Sequence, residues 1–200
     1  GLAIRTSSPA LLQVPPAPDR RGRRGPPPGV RPDDAPEVVW RLPYKLDGEG
    51  YLLAREVHLF DVDLASGDSR QLTDGAFDVM GFDVHPDGER IAYSRTREGR
   101  FAHCTDLWVR NADGTHRQLT TNHATVMSPV WSPDGASIAF TGAVLEGDAE
   151  PRLWRFDVAT GQVVPLSGDT VDVADPTSVC WSADSRRILL VHAHEGRQRL

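Results

Sequence analysis

Sulfur is scarce in this chain, and its absence sets the first limits. Cys104 and Cys180 are the two cysteines among 200 residues, and no C-x-x-C spacing joins them. A disulfide-stapled secreted module and a cysteine-rich metal module are both excluded. The pair reads instead as small, buried or half-buried residues in a reducing compartment, so the cytoplasm is the expected location. Long apolar runs are also missing. No window approaches the ~18 apolar residues that a membrane helix needs, and the opening lacks the basic-then-apolar order of a signal peptide. Positive charge is in deficit, with 22 Lys and Arg against 28 Asp and Glu and a net charge of −6. There is no electrostatic case for nucleic acid. The basic residues that do cluster, Arg20, Arg21, Arg23 and Arg24, lie among Pro and Gly with no interleaved aromatic. That composition describes a solvated linker.

What the chain has is repetition. Gly67, Gly114 and Gly161 follow one another at steps of 47 residues, and five residues beyond each stands Leu72-Thr73, Leu119-Thr120 or Leu166-Ser167. Between them fall His85-Pro86-Asp87-Gly88, Ser132-Pro133-Asp134-Gly135 and Ser182-Ala183-Asp184-Ser185, each followed by an apolar run that starts at Ile91, Ile138 or Ile188. Leu107-Trp108 and Leu153-Trp154 continue the register.

Every unit divides into four short runs rich in Val, Ile, Trp, Phe and Thr, separated by turn residues, which is a strand signature. In the clearest unit these are 129–131, 138–140, 153–158 and 162–166, and Pro165 marks the fourth as an edge because proline cannot donate to a ladder. In Ser-Pro-Asp-Gly, Pro presets the first corner of a type I turn, Asp suits the second, and Gly takes the left-handed position that closes the hairpin. Four antiparallel strands per ~40–50 residues is the period of a β-propeller blade. A helical solenoid of that period is disfavoured by the β-branched and aromatic runs.

The expected architecture is therefore all-β, a partial β-propeller. Two complete four-stranded blades are expected at 78–121 and 126–168, with half blades at 56–73 and 177–192. Residues 1–35 read as a low-complexity Pro/Gly/Arg-rich segment, loop or disordered, ahead of a propeller portion over 36–200. Within it, 36–55 reads as an insertion between strands of the incomplete first blade. Propellers close with four to eight blades. Leaving roughly 500 Å² of apolar face bare at ~25 cal/mol/Å² costs about 12 kcal/mol, as much as the stability of a whole domain. The expectation is a piece of a larger ring, cut through a blade at either end.

The repeat resembles the propeller unit of TolB-like proteins and of the prolyl oligopeptidase family of serine peptidases, where Trp-Ser-Pro-Asp-Gly followed by Ile-Ala-Phe marks the first two strands. "RLPYKLDGEGY" (Arg41–Tyr51), "HLFDVD" (His58–Asp63) and "RQLTDGAFDV" (Arg70–Val79) are similar to the propellers of acylaminoacyl-peptidase and dipeptidyl-peptidase-like members. The resemblance implies a propeller that admits short peptides to the Ser, Asp and His of a following α/β-hydrolase domain, its partner in the parent chain. No catalytic motif of the family maps onto this sequence, so no catalytic residue is assigned. The other resemblance implies a non-enzymatic protein-binding scaffold.

Several residues invite a chemical role. Ser137 sits in Gly-x-Ser-x-Ala, one residue from a nucleophile elbow. An elbow requires strand, sharp turn and helix, whereas Ser137 lies between a hairpin turn and a strand, and its equivalents are Arg90 and Arg187. It reads as an exposed strand start. Ser69 in Gly67-Asp68-Ser69 aligns with His116 and Val163 and fares no better. His192 and His194 fall on one strand face with no third ligand in reach of the sequence. Asp61, Asp63, Asp113 and Asp157 lack the order of a calcium loop and read as turn acceptors. Trp108, Trp131, Trp154 and Trp181 recur with the repeat, so they read as core between blades. No metal set and no cofactor site is assigned.

Overall fold

The computed structural model describes residues 7–14, 45–46, 50–51, 56–147, 150–168, 172–173, 175–194 and 197–199. Their regular structure is strand throughout, with two single-turn 3-10 segments and no α-helix. In chain order the strands are β1 (Ser7–Val14), β2 (Lys45–Leu46), β3 (Gly50–Tyr51), β4 (Glu56–Asp63), β5 (Ser69–Gln71), β6 (Val79–Val84), β7 (Ile91–Thr96), β8 (Thr105–Arg110) and β9 (His116–Gln118). They continue as β10 (Thr125–Trp131), β11 (Ser137–Ala143), β12 (Arg152–Asp157), β13 (Val163–Pro165), β14 (Asp172–Val173), β15 (Cys180–Trp181), β16 (Ile188–Leu189), β17 (His192–His194) and β18 (Arg197–Arg199).

Two sheets are complete antiparallel meanders, β6-β7-β8-β9 and β10-β11-β12-β13. They are the first and second complete blades, spanning Val79–Gln118 and Thr125–Pro165. Each closes its first hairpin in the same way. Gly135 donates its N–H to the Ser132 carbonyl at 2.8 Å, and Gly88 does so to His85 at 2.7 Å. Ser185 occupies the glycine position of the third copy at φ +58°, and donates to the Ser182 carbonyl at 2.9 Å.

The recurring Leu-Thr or Leu-Ser dipeptide has a clear task. The hydroxyl of Thr73 accepts the N–H of Leu59, that of Thr120 accepts Leu107, and that of Ser167 accepts Leu153, at 2.9, 2.9 and 3.0 Å. In each copy the preceding Leu donates its own N–H to the carbonyl of the same residue, at 2.7–2.9 Å. The dipeptide clamps the end of the outermost strand to the third strand, where a three-residue ladder alone would fray.

The outermost strands are short and solvent-facing, and β13 pairs with β12 alone, which suits Pro165. Pro129, on the innermost strand β10, is tolerated because the register shifts between Met127 and Val130, with Ser128 at φ 48°.

The blades stack face to face. Ala92, Leu107 and Val109 of the first meet Val126, Trp131, Ile138, Phe140 and Phe156 of the second in one buried cluster. The opposite face of the second blade, Ala139 and Leu153, packs on Val179, Trp181, Ile188 and Leu190. Polar ties cross the same seams: the Trp131 N–H donates to Asp83 Oδ2 at 2.7 Å, and the Trp181 indole N–H to the Val130 carbonyl at 3.1 Å. Gly135 is required by close approach, because a Cβ there would overlap the His85 ring of the preceding blade.

Three expectations are corrected. Part of the segment read as loop or disordered, Ser7–Val14, is a strand that pairs with all eight residues of β4. Its cause is the inner edge of β4, whose unpaired backbone groups need a partner. The first unit is therefore three-stranded, β1-β4-β5. Within the stretch 36–55, Lys45–Leu46 pairs with Gly50–Tyr51 as β2 and β3; residues 15–44, 47–49 and 52–55 lie outside the described residues. The last unit is wider than 177–192. The 3-10 turn Pro176–Ser178 splits its first strand into β14 and β15, β16 and β17 supply the second, and β18 already begins a third. Finally, Cys180 is exposed, whereas Cys104 is buried as expected.

Candidate functional site

The first complete blade turns alternate residues of β7 to opposite sides. Ala92 and Leu107 enter the dry cluster shared with the second blade. Tyr93 and Arg95 point the other way, towards the three-stranded unit, and there the packing leaves a cavity of about 550 Å³. Gln71, Leu72, Thr73 and Asp74 form one wall, and Phe77, Tyr93, Arg95, Trp108 and His116 complete it.

Arg95 is its distinctive group. Its guanidinium carbon lies 3.9 Å from the ring centroids of both Phe77 and Trp108, a cation between two aromatic faces. Such contacts are worth ~0.5–2 kcal/mol each, rising with desolvation. Burial lowers the Arg95 pKa, against the opposing fields of Tyr93, Glu98 and Asp106. Its Nε is buried without a hydrogen-bond partner among the described residues. Deeper in, the Tyr93 hydroxyl lies 2.8 Å from His116 Nδ1. Burial pushes the Tyr93 phenol up to about 12. Burial, then Arg110 and Arg95, hold His116 below the usual imidazole range. The tyrosine hydroxyl and His116 Nδ1 share this hydrogen bond, the imidazole tautomer setting which of them donates. The chemistry on offer is recognition: an aromatic wall, guanidinium donors and a phenol. Among the described residues, the cavity lining contains no serine or cysteine nucleophile.

The residues that tempted from the sequence are placed elsewhere. Ser137 is 8% exposed, not an exposed strand start. Its N–H donates to Ser132 Oγ at 3.0 Å and its carbonyl accepts the Ser132 N–H at 2.9 Å, which draws it beneath the turn. Ser69 is exposed on the edge strand β5. His192 Nδ1 lies 3.0 Å from the Ala193 carbonyl, on β17 far along the chain from the cavity wall. Asp63, Asp113 and Asp157 accept backbone N–H groups of their own turns at 2.8–2.9 Å, and Asp61 pairs with exposed Arg70. Three of the four tryptophans join interblade clusters, Trp131 and Trp154 in the shared core and Trp181 on the far face, whereas Trp108 packs beside Tyr93 in a cluster formed by its own blade and Phe77. The sequence reading missed Arg95 and Tyr93. Their signal was an arginine in an apolar strand, at the position that Gly142 takes one repeat later. Among the described residues, His103, Cys104 and Glu146 are a further trio with metal-ligand chemistry.

No family model matches the chain. It is 32% identical over 139 residues to dipeptidyl-peptidase 5 of Porphyromonas gingivalis, a match that covers 66% of this chain and 19% of that protein. The chain spans about a fifth of the length of this curated relative. Among solved structures, TolB from Acinetobacter baumannii superposes with a TM-score of 0.55 at 19% identity, over 71% of this chain and 33% of TolB. The chain is a partial β-propeller. A putative dipeptidyl aminopeptidase IV from Bacteroides ovatus superposes on the propeller with a TM-score of 0.52 at 14% identity, over 70% of this chain and 23% of that one. The propeller thus resembles those of dipeptidyl-peptidase-like proteins and of TolB, as the Trp-Ser-Pro-Asp-Gly repeat and the Arg41–Val79 stretch suggest.

Proposed function

We propose that this chain is the substrate-gating propeller portion of a serine peptidase of prolyl oligopeptidase type, acting on short peptides in the cytoplasm. The reading rests on one observation, the 32% identity over 139 residues to dipeptidyl-peptidase 5. In this proposal the propeller carries no catalytic group. Its stacked blades screen by size, and an α/β-hydrolase domain of the same parent supplies Ser, Asp and His. The Arg95 cavity fits the task as a place for an anionic or aromatic peptide group, since the guanidinium faces it from between two rings.

The test is a pair of assays. The parent protein, expressed with its hydrolase domain, should cleave short aminoacyl or dipeptidyl chromogenic substrates and spare a folded protein. This 200-residue chain alone should cleave neither. Turnover by the isolated chain, or a parent whose reading frame holds no hydrolase domain, contradicts the proposal. The second outcome favours the other reading, a protein-binding scaffold. The TM-score of 0.55 to TolB supports that alternative.

A further inference from the structure

Three side chains of different chemistry meet where the two complete blades touch. His103 and Cys104 lie on the β7–β8 connection, just beyond the 3-10 turn Gly99–Phe101. Glu146 lies on the corresponding β11–β12 connection of the next blade. His103 Nε2 is 3.2 Å from Glu146 Oε2, and the Cys104 thiol reaches Glu146 Oε1 at 3.7 Å. The ligand atoms of all three residues lie within 4.8 Å of one another.

The sulfur is held in place. Cys104 is 1% exposed; its N–H donates to the Phe101 carbonyl at 2.9 Å and its carbonyl accepts the Arg97 N–H at 2.8 Å. His103 and Glu146 are exposed, with side-chain accessibilities of 42% and 60%. The trio therefore has a fixed inner ligand and an open approach from solvent. Arg97 is engaged by Asp106 through bonds of 2.7 and 2.9 Å, and the field of Glu146 reaches it as well.

We propose that His103, Cys104 and Glu146 form a binding site for a thiophilic divalent metal ion of the Zn(II) class, bridging the two blades. One sulfur, one imidazole nitrogen and one carboxylate oxygen are the donors that such an ion takes, and three protein ligands leave a fourth tetrahedral position for water. Metal–ligand bonds of ~2.0–2.3 Å place tetrahedral donors about 3.5 Å apart, so a movement of roughly 1 Å by the exposed His103 and Glu146 side chains towards the fixed sulfur completes the geometry. Thiol and imidazole disfavour the oxygen-seeking Ca(II) and Mg(II). On binding, Cys104 releases its thiol proton to solvent. Thiolate and carboxylate then balance the charge of the ion. Because the ligands come from separate blades, the ion ties one to the next. This inference is independent of the peptidase reading.

The test uses the 200-residue chain, stripped of metal and titrated with Co(II). One equivalent should bring in tetrahedral d–d bands and a thiolate-to-cobalt charge-transfer band, and Zn(II) should bleach both. Cys104→Ser should abolish the charge-transfer band. Cys180→Ser should keep it, which separates the site from adventitious binding at the exposed cysteine. His103→Ala and Glu146→Gln change exposed residues and should leave folding intact. Each should weaken Co(II) binding by at least about tenfold, the loss that even an outer-shell partner causes. A wild-type chain with no charge-transfer band contradicts the proposal. So does a band that survives Cys104→Ser and vanishes in Cys180→Ser, or affinity indifferent to both His103→Ala and Glu146→Gln.

Discussion

The two complete blades share turns, clamps and strand order, yet the interfaces that precede them differ in kind. In the second blade Phe140 pairs across the sheet with Trp154, Gly142 follows, and His123 packs edge-on against both rings at 5.4 and 4.7 Å. The seam is filled. In the first blade Tyr93 pairs with Trp108, Arg95 stands where Gly142 would be, and a cavity remains beside them. Gly142 cannot carry a side chain, since a Cβ would overlap the Thr125 carbonyl oxygen, whereas Arg95 has room to lie between two rings. The lesson is a division of labour within one repeat. Residues that close turns and clamp outer strands are kept from copy to copy, and residues that face a neighbouring blade are free to make either core or pocket.

The largest expected contrast is between the two equivalent aromatics. Phe140 is fully buried, so Phe140→Ala should cost about 3–5 kcal/mol in denaturant unfolding. Tyr93→Phe keeps the ring and removes one hydroxyl bond, and should cost about 1 kcal/mol. Equal losses would break the distinction between filled and open seams. Next in size is the clamp. Thr120→Val leaves the buried Leu107 N–H without its acceptor and should lower stability by about 1–3 kcal/mol, with the same loss at Thr73. A neutral Thr120→Val would remove the stated reason for the repeat.

Those clamps were legible in the sequence as a periodic dipeptide, although their hydroxyl-to-backbone bonds were not. Turn tetrapeptides and tryptophan positions were equally plain, because each is dictated by neighbours within a hairpin. What the sequence hid is non-local. Strand β1 pairs with β4 across the 15–55 stretch, and an open sheet edge, not a motif, selects it. Arg95 lies in an apolar run and gains meaning only when Phe77 and Trp108 close on it from either side. Cys104 and Glu146 are 42 residues apart, and only the stacking of blades brings them together. Ser137 shows the converse: alignment with two arginines suggested exposure, but the Ser132 hydroxyl draws it inside.

A smaller contrast concerns glycine. Gly135 and Gly161 share positive φ, +70° and +71°, but a Cβ on Gly161 would point into open space, whereas one on Gly135 would meet His85. Gly161→Ala should cost about 1 kcal/mol from its left-handed backbone alone. Gly135→Ala should cost more by the clash between blades. Identical values would mean that the His85 contact is absent.

The smallest effect is one of pH. Burial holds the His123 pKa below 6.5, with Asp106 opposing the shift and Arg97 adding to it, and neither ring nitrogen has a hydrogen-bond partner among the described residues. Protons therefore bind the unfolded chain first. The contribution of His123 is complete above pH 6.5 and is lost as pH falls through its folded-state value. The urea midpoint should drop on acidification from above 6.5 to below it, and His123→Phe should flatten part of that drop. His58 and His116, whose pKa values burial also lowers, act in the same direction.

The central claim is that successive blades pack in one fixed register. It is tested most directly by nuclear Overhauser contacts across the first seam in the isotopically labelled chain. His85 stands edge-on to Trp131 at 4.5 Å, and its ring lies against Gly135. Cross-peaks from the His85 ring to the Trp131 indole and to the Gly135 α-protons are the predicted result. A dispersed spectrum of a folded chain that lacks both sets of cross-peaks would contradict the stacking.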